Sequence, residues 1–271
     1  MKLTLIRTLF AGAVFTLAGL TNSSVHAAMK TETVLYKQGD TELEGYLAYD
    51  DSLTGKRPGV VVVHEWYGLN DYAKRRAEQI AQLGYVAFAA DIYGKGVRPG
   101  TPQEAGAVAG KYRSDRALLR ARANAALDEL KKNPRVDTNR TAAIGYCFGG
   151  TAVLELARSG APVTGVVSFH GGLDTPNPDD AKNIKAKVLV LHGADDPNVP
   201  PAQVAAFQDE MRKANVDWQM NFYGGAVHSF SNPASGNDNS RGIAYNEKAD
   251  KRSWEAMKLF FREIFGEREN P

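Results

Sequence analysis

The only cysteine of the chain lies in a glycine-flanked sequence that favours nucleophilic chemistry. Residues 144–152 read IGYCFGGTA, so Cys147 stands between Gly145 and Gly149 in a G-x-C-x-G pattern. An apolar run precedes this pattern and a helical pattern follows it. A lone cysteine cannot form an internal disulfide, so it is a buried apolar residue, a bridge to a second chain or a working thiol.

The glycines and the following helix favour the working thiol. A nucleophile on a sharp strand-to-helix turn has a strained backbone, and Gly145 and Gly149 avoid Cβ collisions across that turn. The N–H of Phe148 at the helix start points to the same place. That N–H and the helix dipole would stabilise an oxyanion and favour a thiolate. With serine in place of cysteine, this turn is the nucleophile elbow of α/β-hydrolases.

A thiol nucleophile needs a base and an acid, and His228 and Asp196 are the best candidates. His228 lies between the last predicted strand and the last predicted helix, and it follows nucleophile and acid in chain order, as in α/β-hydrolases. Asp196, in HGADDPNVP, would fix the tautomer and orientation of His228, whereas Asp195 is interpreted as a turn residue that caps its own backbone. Three other histidines end predicted strands and are interpreted as structural: His64, His170 and His192.

Strands and helices alternate along nearly the whole chain. Hydrophobic periodicity predicts strands over residues 33–37, 42–49, 59–65, 85–91, 140–146, 163–171, 187–193 and 217–223. Helices are predicted over residues 70–84, 101–132, 148–160, 201–215 and 245–265. Continuous apolar runs such as 59–65 indicate strands that are buried on both faces. We therefore predict a single-domain α/β-hydrolase with a mostly parallel sheet and helices on both faces.

The N-terminal residues have the layout of a secretory signal peptide. Lys2 and Arg7 precede an apolar run over residues 9–20, and VHAA ends the segment. We predict a signal peptide over residues 1–27 and a mature domain over residues 28–271, with cleavage after Ala28 as the alternative. The run is short for a membrane span, although an uncleaved anchor is a second alternative. The expected destination is the bacterial periplasm or the medium, without stable membrane insertion.

Charge and residue spacing argue against a nucleic-acid partner, a zinc site and a dithiol redox function. The chain has 33 basic and 31 acidic residues, and the predicted signal peptide contains Lys2 and Arg7 but no acidic residue. The mature domain therefore has a net charge of about zero, so a nucleic-acid partner is not expected. The histidines lack the spacing of a zinc site, and a C-x-x-C redox motif is absent. We expect a monomer that acts on a small molecule without metal or cofactor.

The chain resembles the dienelactone hydrolase family of α/β-hydrolases. Five segments carry the resemblance in the family's order across nearly the whole mature chain: VVVHEWYGLN, AADIYGKG, IGYCFGGTA, HGADDPNVP and AVHSF. That family cleaves esters or lactones with a cysteine, a histidine and an aspartate. The resemblance therefore implies these roles for Cys147, His228 and Asp196.

The resemblance also assigns two residues of the HEWYG segment. It implies that Glu65 hydrogen-bonds the resting thiol of Cys147 until substrate displaces the carboxylate. A neighbouring carboxylate disfavours the thiolate, so this contact would protect an exported thiol from oxidation. The N–H of Trp66 would join that of Phe148 as the second oxyanion donor.

The substrate-binding residues depart from the family pattern. Members that act on dienelactone hold its carboxylate with two arginines, and Lys95 and Asn232 stand in those places. Lys95 offers a point charge rather than a bidentate fork, and Asn232 carries no charge. Arg98 and Tyr93 are further candidates in the same loop. We therefore expect a neutral or weakly anionic ester or lactone as substrate. The alternatives are a carboxylesterase, thioesterase or peptidase on the same fold, and a non-catalytic ligand-binding protein.

Overall fold

The computed structural model describes residues 28–266, so the predicted signal peptide lies outside the described residues. The strands within this range are β1 (Met29–Gln38), β2 (Thr41–Asp50), β3 (Arg57–Val63), β4 (Val86–Ala90), β5 (Val136–Tyr146), β6 (Gly165–Phe169), β7 (Lys187–Gly193) and β8 (Trp218–Tyr223). The α-helices are α1 (Asp71–Gln82), α2 (Pro102–Ser114), α3 (Arg116–Lys132), α4 (Phe148–Arg158), α5 (Pro201–Lys213) and α6 (Glu247–Phe265). None of these helices is long and apolar enough to cross a membrane.

All eight described strands belong to one sheet in the order β1-β2-β4-β3-β5-β6-β7-β8. β1 pairs with β2, and β2 with β4, in antiparallel register, whereas every later neighbouring pair is parallel. The two strands predicted near the mature N-terminus form the antiparallel hairpin that their alternating pattern indicates. The predicted mostly parallel sheet in a single α/β domain is confirmed.

Helices cover both faces of the sheet, and this explains why β3 is apolar at successive positions. Val61 and Val63 pack into the core that contains residues of α3, α4 and α5. Val60 and Val62 pack into the core that contains residues of α1 and α6. Successive side chains of a strand point to opposite faces, so a strand between two helical layers needs apolar residues throughout.

The long helix predicted over residues 101–132 is divided into α2 and α3. The division falls at Asp115, whose backbone has φ −115 and ψ 82 and whose side chain accepts a hydrogen bond from the N–H of Leu118. Aspartate is among the preferred N-cap residues because its carboxylate satisfies an otherwise unpaired helix N–H. The prediction of one continuous helix was therefore wrong, because an apolar period that continues through the break hides the cap.

The carboxyl ends of the parallel strands place the candidate residues at one edge of the sheet. Glu65 follows β3, Cys147 follows β5, Asp196 follows β7 and His228 lies in the loop after β8. In open α/β sheets, ligands bind outside this edge. The fold therefore gathers residues that are far apart in the sequence.

Candidate active site

The turn at Cys147 is so tight that glycine is required on both sides. A Cβ atom at Gly145 would overlap the carbonyl oxygen of Gly149, and a Cβ atom at Gly149 would overlap the carbonyl oxygen of Val63. Cys147 has φ 52 and ψ −114, in the left-handed region of φ that residues with side chains seldom adopt. Since β5 ends at Tyr146 and α4 begins at Phe148, the thiol occupies the turn between strand and helix.

The structure brings Cys147, His228 and Asp196 into one hydrogen-bonded row. Nε2 of His228 lies 3.0 Å from Sγ of Cys147, and Nδ1 of His228 lies 2.9 Å from Oδ2 of Asp196. All three residues are buried, and their exposed fractions do not exceed 9%. A thiol, an imidazole and a carboxylate in this order are able to pass a proton from sulfur to the ring.

Asp196 and its neighbour Asp195 face different partners. Oδ1 of Asp196 accepts the N–H of Asn198 at 2.8 Å, which leaves Oδ2 for the imidazole. Because Nδ1 of His228 faces this carboxylate, it carries the proton of the neutral ring, and Nε2 presents its lone pair to sulfur. Asp195 is exposed and accepts the N–H of Gly225 at 3.0 Å, so it fastens the loop before His228 instead of capping its own turn.

His228 is held in a state that favours its protonated form. Burial by itself would lower the pKa of His228. The negative charge of Cys147 as a thiolate and the hydrogen bond to Asp196 outweigh burial and hold the pKa well above its ordinary value. The same arrangement stabilises an imidazolium that has taken the thiol proton.

Glu65 does not make the predicted hydrogen bond to the thiol. Its Oε1 accepts the hydroxyl of Ser229 at 2.9 Å, and its Oε2 accepts the side-chain amide of Asn232 at 2.6 Å. Burial raises the pKa of Glu65, although these two hydrogen bonds and the charge of His228 oppose the rise. The correction has a physical reason: the loop after His228 supplies two donors that satisfy the carboxylate, and the thiol faces His228.

The two predicted oxyanion donors lie beside the thiol with unused N–H groups. Phe148 is the first residue of α4, so its N–H has no partner inside the helix. Trp66 borders the same cavity as Cys147, and its N–H makes no hydrogen bond with another described residue. The ring of Phe148 is buried and stacks on His64, which fixes the start of α4. A free N–H group at a helix start, such as that of Phe148, is suited to a developing negative charge.

Three of the four predicted substrate-binding residues lie outside the cavity. Lys95 is exposed and pairs with Glu42 at 2.9 Å. Arg98 donates to the carbonyl oxygen of Val97 at 2.9 Å, and the hydroxyl of buried Tyr93 donates to the carbonyl oxygen of Trp66 at 3.0 Å. The structure does not bring these three side chains to the cavity, because those of Lys95 and Arg98 turn toward β2 and their own loop, and that of Tyr93 turns toward the backbone of Trp66.

The fourth predicted residue, Asn232, borders a cavity of about 750 Å³ above the thiol. The cavity mixes aromatic, polar and charged side chains, and its lining includes Glu65, Trp66, Tyr67, Asn70, Arg113, Arg116, Cys147, Thr151, Asp174, Asn198, Gln203, His228, Ser229, Asn232, Arg241 and Ile243. Across residues 28–266, no group of three or more His, Cys, Asp or Glu side chains is arranged to hold a metal ion. A small organic molecule fits this volume and chemistry.

Sequence reasoning missed the arginines that border this cavity. Arg113 and Arg116 lie on either side of the break between α2 and α3, and Arg241 lies in the loop after His228. Arg116 is buried and pairs with Asp174 at 2.7 Å, whereas Arg113 is exposed and forms no ion pair with another described residue. The signal that would have located the break between Arg113 and Arg116 is Asp115, because aspartate is a preferred N-cap residue.

The chain is similar to known proteins of one family. The family model described as the dienelactone hydrolase family matches residues 43–265. A protein of Synechocystis sp., provisionally named carboxymethylenebutenolidase, is 27% identical, with coverage of 86% of this chain and 97% of that protein.

Two solved structures are closer in sequence. The structure named m3DLH is 46% identical with a TM-score of 0.84, covering 88% of this chain and 99% of that one. A dienelactone hydrolase-like promiscuous phosphotriesterase from metagenomic libraries is 46% identical with a TM-score of 0.83, covering 87% and 98%. The match over most of the chain shows that the protein belongs to the dienelactone hydrolase family and is a hydrolase of the lactone or ester type.

Proposed function

We propose that the protein hydrolyses carboxylic esters or lactones through a thioester formed on Cys147. The observation that carries this proposal is the row of Cys147, His228 and Asp196, with separations of 3.0 and 2.9 Å, at the base of the cavity. Each group is already within proton-transfer distance of the next. A protein that only binds its ligand has no need for this arrangement.

The first half-reaction forms the acyl-enzyme. Nε2 of His228 takes the thiol proton while Sγ of Cys147 forms a bond to the carbonyl carbon, and the carbonyl oxygen becomes an oxyanion. The N–H groups of Phe148 and Trp66 stabilise that charge. When the intermediate collapses, the C–O bond breaks and the departing alkoxide takes the proton from His228. In a lactone this alkoxide remains part of the acyl chain.

The second half-reaction releases the acid. Nε2 of His228 removes a proton from water, and the hydroxide oxygen attacks the thioester carbon. The C–S bond then breaks, Sγ leaves as thiolate and recovers its proton from His228, and the carboxylic acid departs. Asp196 accepts the Nδ1–H of His228 and stabilises the imidazolium in both halves.

The experiment uses a panel of aryl esters and lactones with the Cys147→Ala protein as control. We expect the variant to fold normally and to lose turnover, because it lacks only one sulfur atom. Mass spectrometry of the wild-type protein, quenched during turnover of a slow ester, should show Cys147 carrying the acyl group. Cys147→Ser should keep the fold and lose about a hundredfold or more in kcat, since a hydroxyl is a weaker nucleophile in a site built for a thiol. Wild-type turnover in Cys147→Ala would refute the mechanism.

A second candidate activity is hydrolysis of phosphotriesters. The observation in its favour is the 46% identity to a structure described as a promiscuous phosphotriesterase. The same thiolate would attack phosphorus and displace an aryl oxide, and water activated by His228 would then break the S–P bond, which releases the dialkyl phosphate and restores the thiol. An aryl dialkyl phosphate added to the ester panel tests this activity, and turnover that survives in Cys147→Ala would separate it from the ester reaction.

Export remains part of the proposal. The sequence of residues 1–27 supports cleavage of a signal peptide before the protein acts. The full chain, expressed in a Gram-negative host, should be recovered from the periplasm with a mass that starts at Ala28 or Met29. Recovery of the uncleaved chain from the soluble cytoplasmic fraction would contradict export.

A further inference from the structure

His170 is a buried histidine that neither half-reaction uses. It follows β6, it is fully buried, and its φ of 40 is in the left-handed region. Its Nδ1 lies 3.1 Å from the backbone nitrogen of Cys147, whose N–H it shares with the carbonyl oxygen of Phe169 at 3.0 Å. The imidazole therefore contacts the backbone of the residue that carries the thiol.

These contacts define the tautomer of His170. A backbone N–H can only donate, so Nδ1 must offer its lone pair to Cys147. The single proton of the neutral ring is then on Nε2, which lies 2.7 Å from Oγ of Ser231 and donates to it. Burial, together with the charges of His228, Arg76 and His192, holds the pKa of His170 well below its ordinary value, so the ring stays neutral.

Ser231 is itself fixed on both its side chain and its backbone. Its Oγ lies 2.8 Å from the hydroxyl of Tyr72, and its carbonyl oxygen accepts a hydrogen bond from Nη2 of Arg76 at 2.7 Å. Arg76 is buried and pairs with Asp250 at 2.6 Å. Tyr72 and Arg76 belong to α1 and Asp250 to α6, so the hydroxyl that receives the His170 proton is anchored to two helices.

The position of Ser231 connects this network to the catalytic base. Ser231 is three residues after His228 in the same loop. The rings of His170 and His228 meet edge to face, with their centroids 5.5 Å apart. One imidazole thus bonds to the backbone of Cys147 on one side and to the loop of His228 on the other.

We propose that His170 is a positioning residue that fixes the Cys147 backbone and the His228 loop relative to each other. Its Nδ1 holds the N–H of a residue with an unfavourable φ, and its Nε2–H holds Ser231. Without this link, the turn at Cys147 and the loop of His228 keep their other anchors but lose the contact that sets one against the other, and the 3.0 Å separation of Sγ and Nε2 lengthens. This inference rests on the proposed function in which His228 activates Cys147.

Two substitutions separate the hydrogen bond from the backbone conformation. Glycine and asparagine both tolerate the positive φ at position 170, but only asparagine places an acceptor oxygen where Nδ1 stands. We expect His170→Gly to lower kcat for an aryl ester by about tenfold to a hundredfold, as expected for a small misplacement of reacting groups. KM should change by less than about threefold, since the cavity lining stays intact. His170→Asn, which restores the acceptor for Cys147 but not the donor to Ser231, should recover only part of the lost kcat.

The rate of alkylation of Cys147 by iodoacetamide is the second measurement. At neutral pH this rate should fall about tenfold in His170→Gly and return toward the wild-type rate in His170→Asn, because the thiolate depends on contact with His228. His192→Gly is the matched control: His192 ends the neighbouring strand, and its ring contacts Phe222 edge to face. Both the alkylation rate and kcat should be unchanged in that variant.

Three results would overturn the proposal. The first is wild-type alkylation and kcat in folded His170→Gly. The second is equal loss in His170→Gly and His170→Asn. If His170→Gly does not fold, Ser231→Ala replaces it, because this variant leaves the Nε2–H of His170 without its acceptor. The proposal requires that Ser231→Ala lower kcat. A wild-type kcat in Ser231→Ala is the third result. Alkylation needs no ester turnover, so it remains readable if Cys147→Ala shows that ester hydrolysis takes another route.

Discussion

The side-chain amide of Asn232 donates to Oε2 of Glu65 at 2.6 Å, and this contact sets the state of the thiol. With Oε1 occupied by Ser229, both oxygens of the buried carboxylate have donors from the loop that carries His228. The thiol of Cys147 is left in contact with His228. The thiol and the imidazole are therefore already in contact, and no displacement of Glu65 is needed to join them.

The free enzyme should therefore react readily with thiol reagents. We expect iodoacetamide to label Cys147 at neutral pH about tenfold faster than it labels a free thiol, because the imidazole stabilises the thiolate. His228→Gln should remove this advantage. The measurement is the labelling rate followed by mass spectrometry without substrate. If the wild-type protein is labelled no faster than the free thiol, Glu65 or another group holds the thiol in an unreactive state.

Glu65 should also make stability depend on pH. Because burial raises its pKa, the native protein keeps this proton at pH values at which the unfolded chain has lost it. The contribution of Glu65 to the free energy of unfolding must then fall as pH rises from about 4.5, the ordinary value, toward the raised pKa. In Glu65→Gln this fall should disappear, and the glutamine can still accept from Asn232 and donate to Ser229.

Urea unfolding between about pH 4 and pH 7 measures this slope. Glu255→Gln is the control, because Glu255 is exposed on α6 and pairs with Lys258 at 2.9 Å. It should leave the pH dependence nearly unchanged, since an exposed ion pair contributes little. The assignment fails if Glu65→Gln and wild type lose stability in parallel as the pH rises.

The parts of the site that follow strand ends could be predicted from the sequence. Gly145 and Gly149 identify the turn, because the steric requirement at those positions is local and only glycine meets it. The candidate base and acid follow from chain order, because parallel strands place their carboxyl ends at one edge. The contacts of Glu65 were not predictable, since they depend on the conformation of the loop that contains Ser229 and Asn232.

The cations at the cavity were missed for a related reason. An apolar period continues across Asp115, and only the cap formed with Leu118 shows that one helix ends and another begins there. Arg113 and Arg116, on either side of this break, both border the cavity. Likewise, a buried histidine at a strand end has the same sequence pattern whether it packs passively or bonds to the nucleophile, so His170 was not distinguishable from His192.

Two adjacent aspartates provide a matched test of the acid. Asp196→Asn should lower kcat on the order of 10³-fold, because an amide donor facing Nδ1 favours the wrong tautomer of His228. Asp195→Asn should keep kcat within about threefold of wild type, since Asp195 is exposed and its carboxylate accepts the N–H of Gly225, not an imidazole. Steady-state kinetics on one aryl ester suffice. Equal losses in the two variants would mean that Asp196 supports the loop and not the imidazole.

Specificity for charge provides the last test, in which Arg113 is compared with Lys95. Arg113 borders the cavity and is exposed, whereas Lys95 pairs with Glu42 outside the cavity. An ester whose acyl chain ends in a carboxylate should lose about twofold to fivefold in kcat/KM in Arg113→Gln, the range typical of exposed ion pairs. A neutral ester of equal length should be unaffected. Lys95→Gln should change neither.

The comparison of the two esters in the wild-type enzyme completes this test. Arg116 gives its Nη2 to Asp174, whose negative charge offsets that of the guanidinium, and Arg113 is open to solvent, so neither holds an anion as firmly as a buried pair of arginines would. We therefore expect kcat/KM for the neutral ester to equal or exceed that for the anionic one, and added salt to lower only the latter. A strong preference for the anionic ester that is lost in Lys95→Gln would return the anion site to the loop after β4.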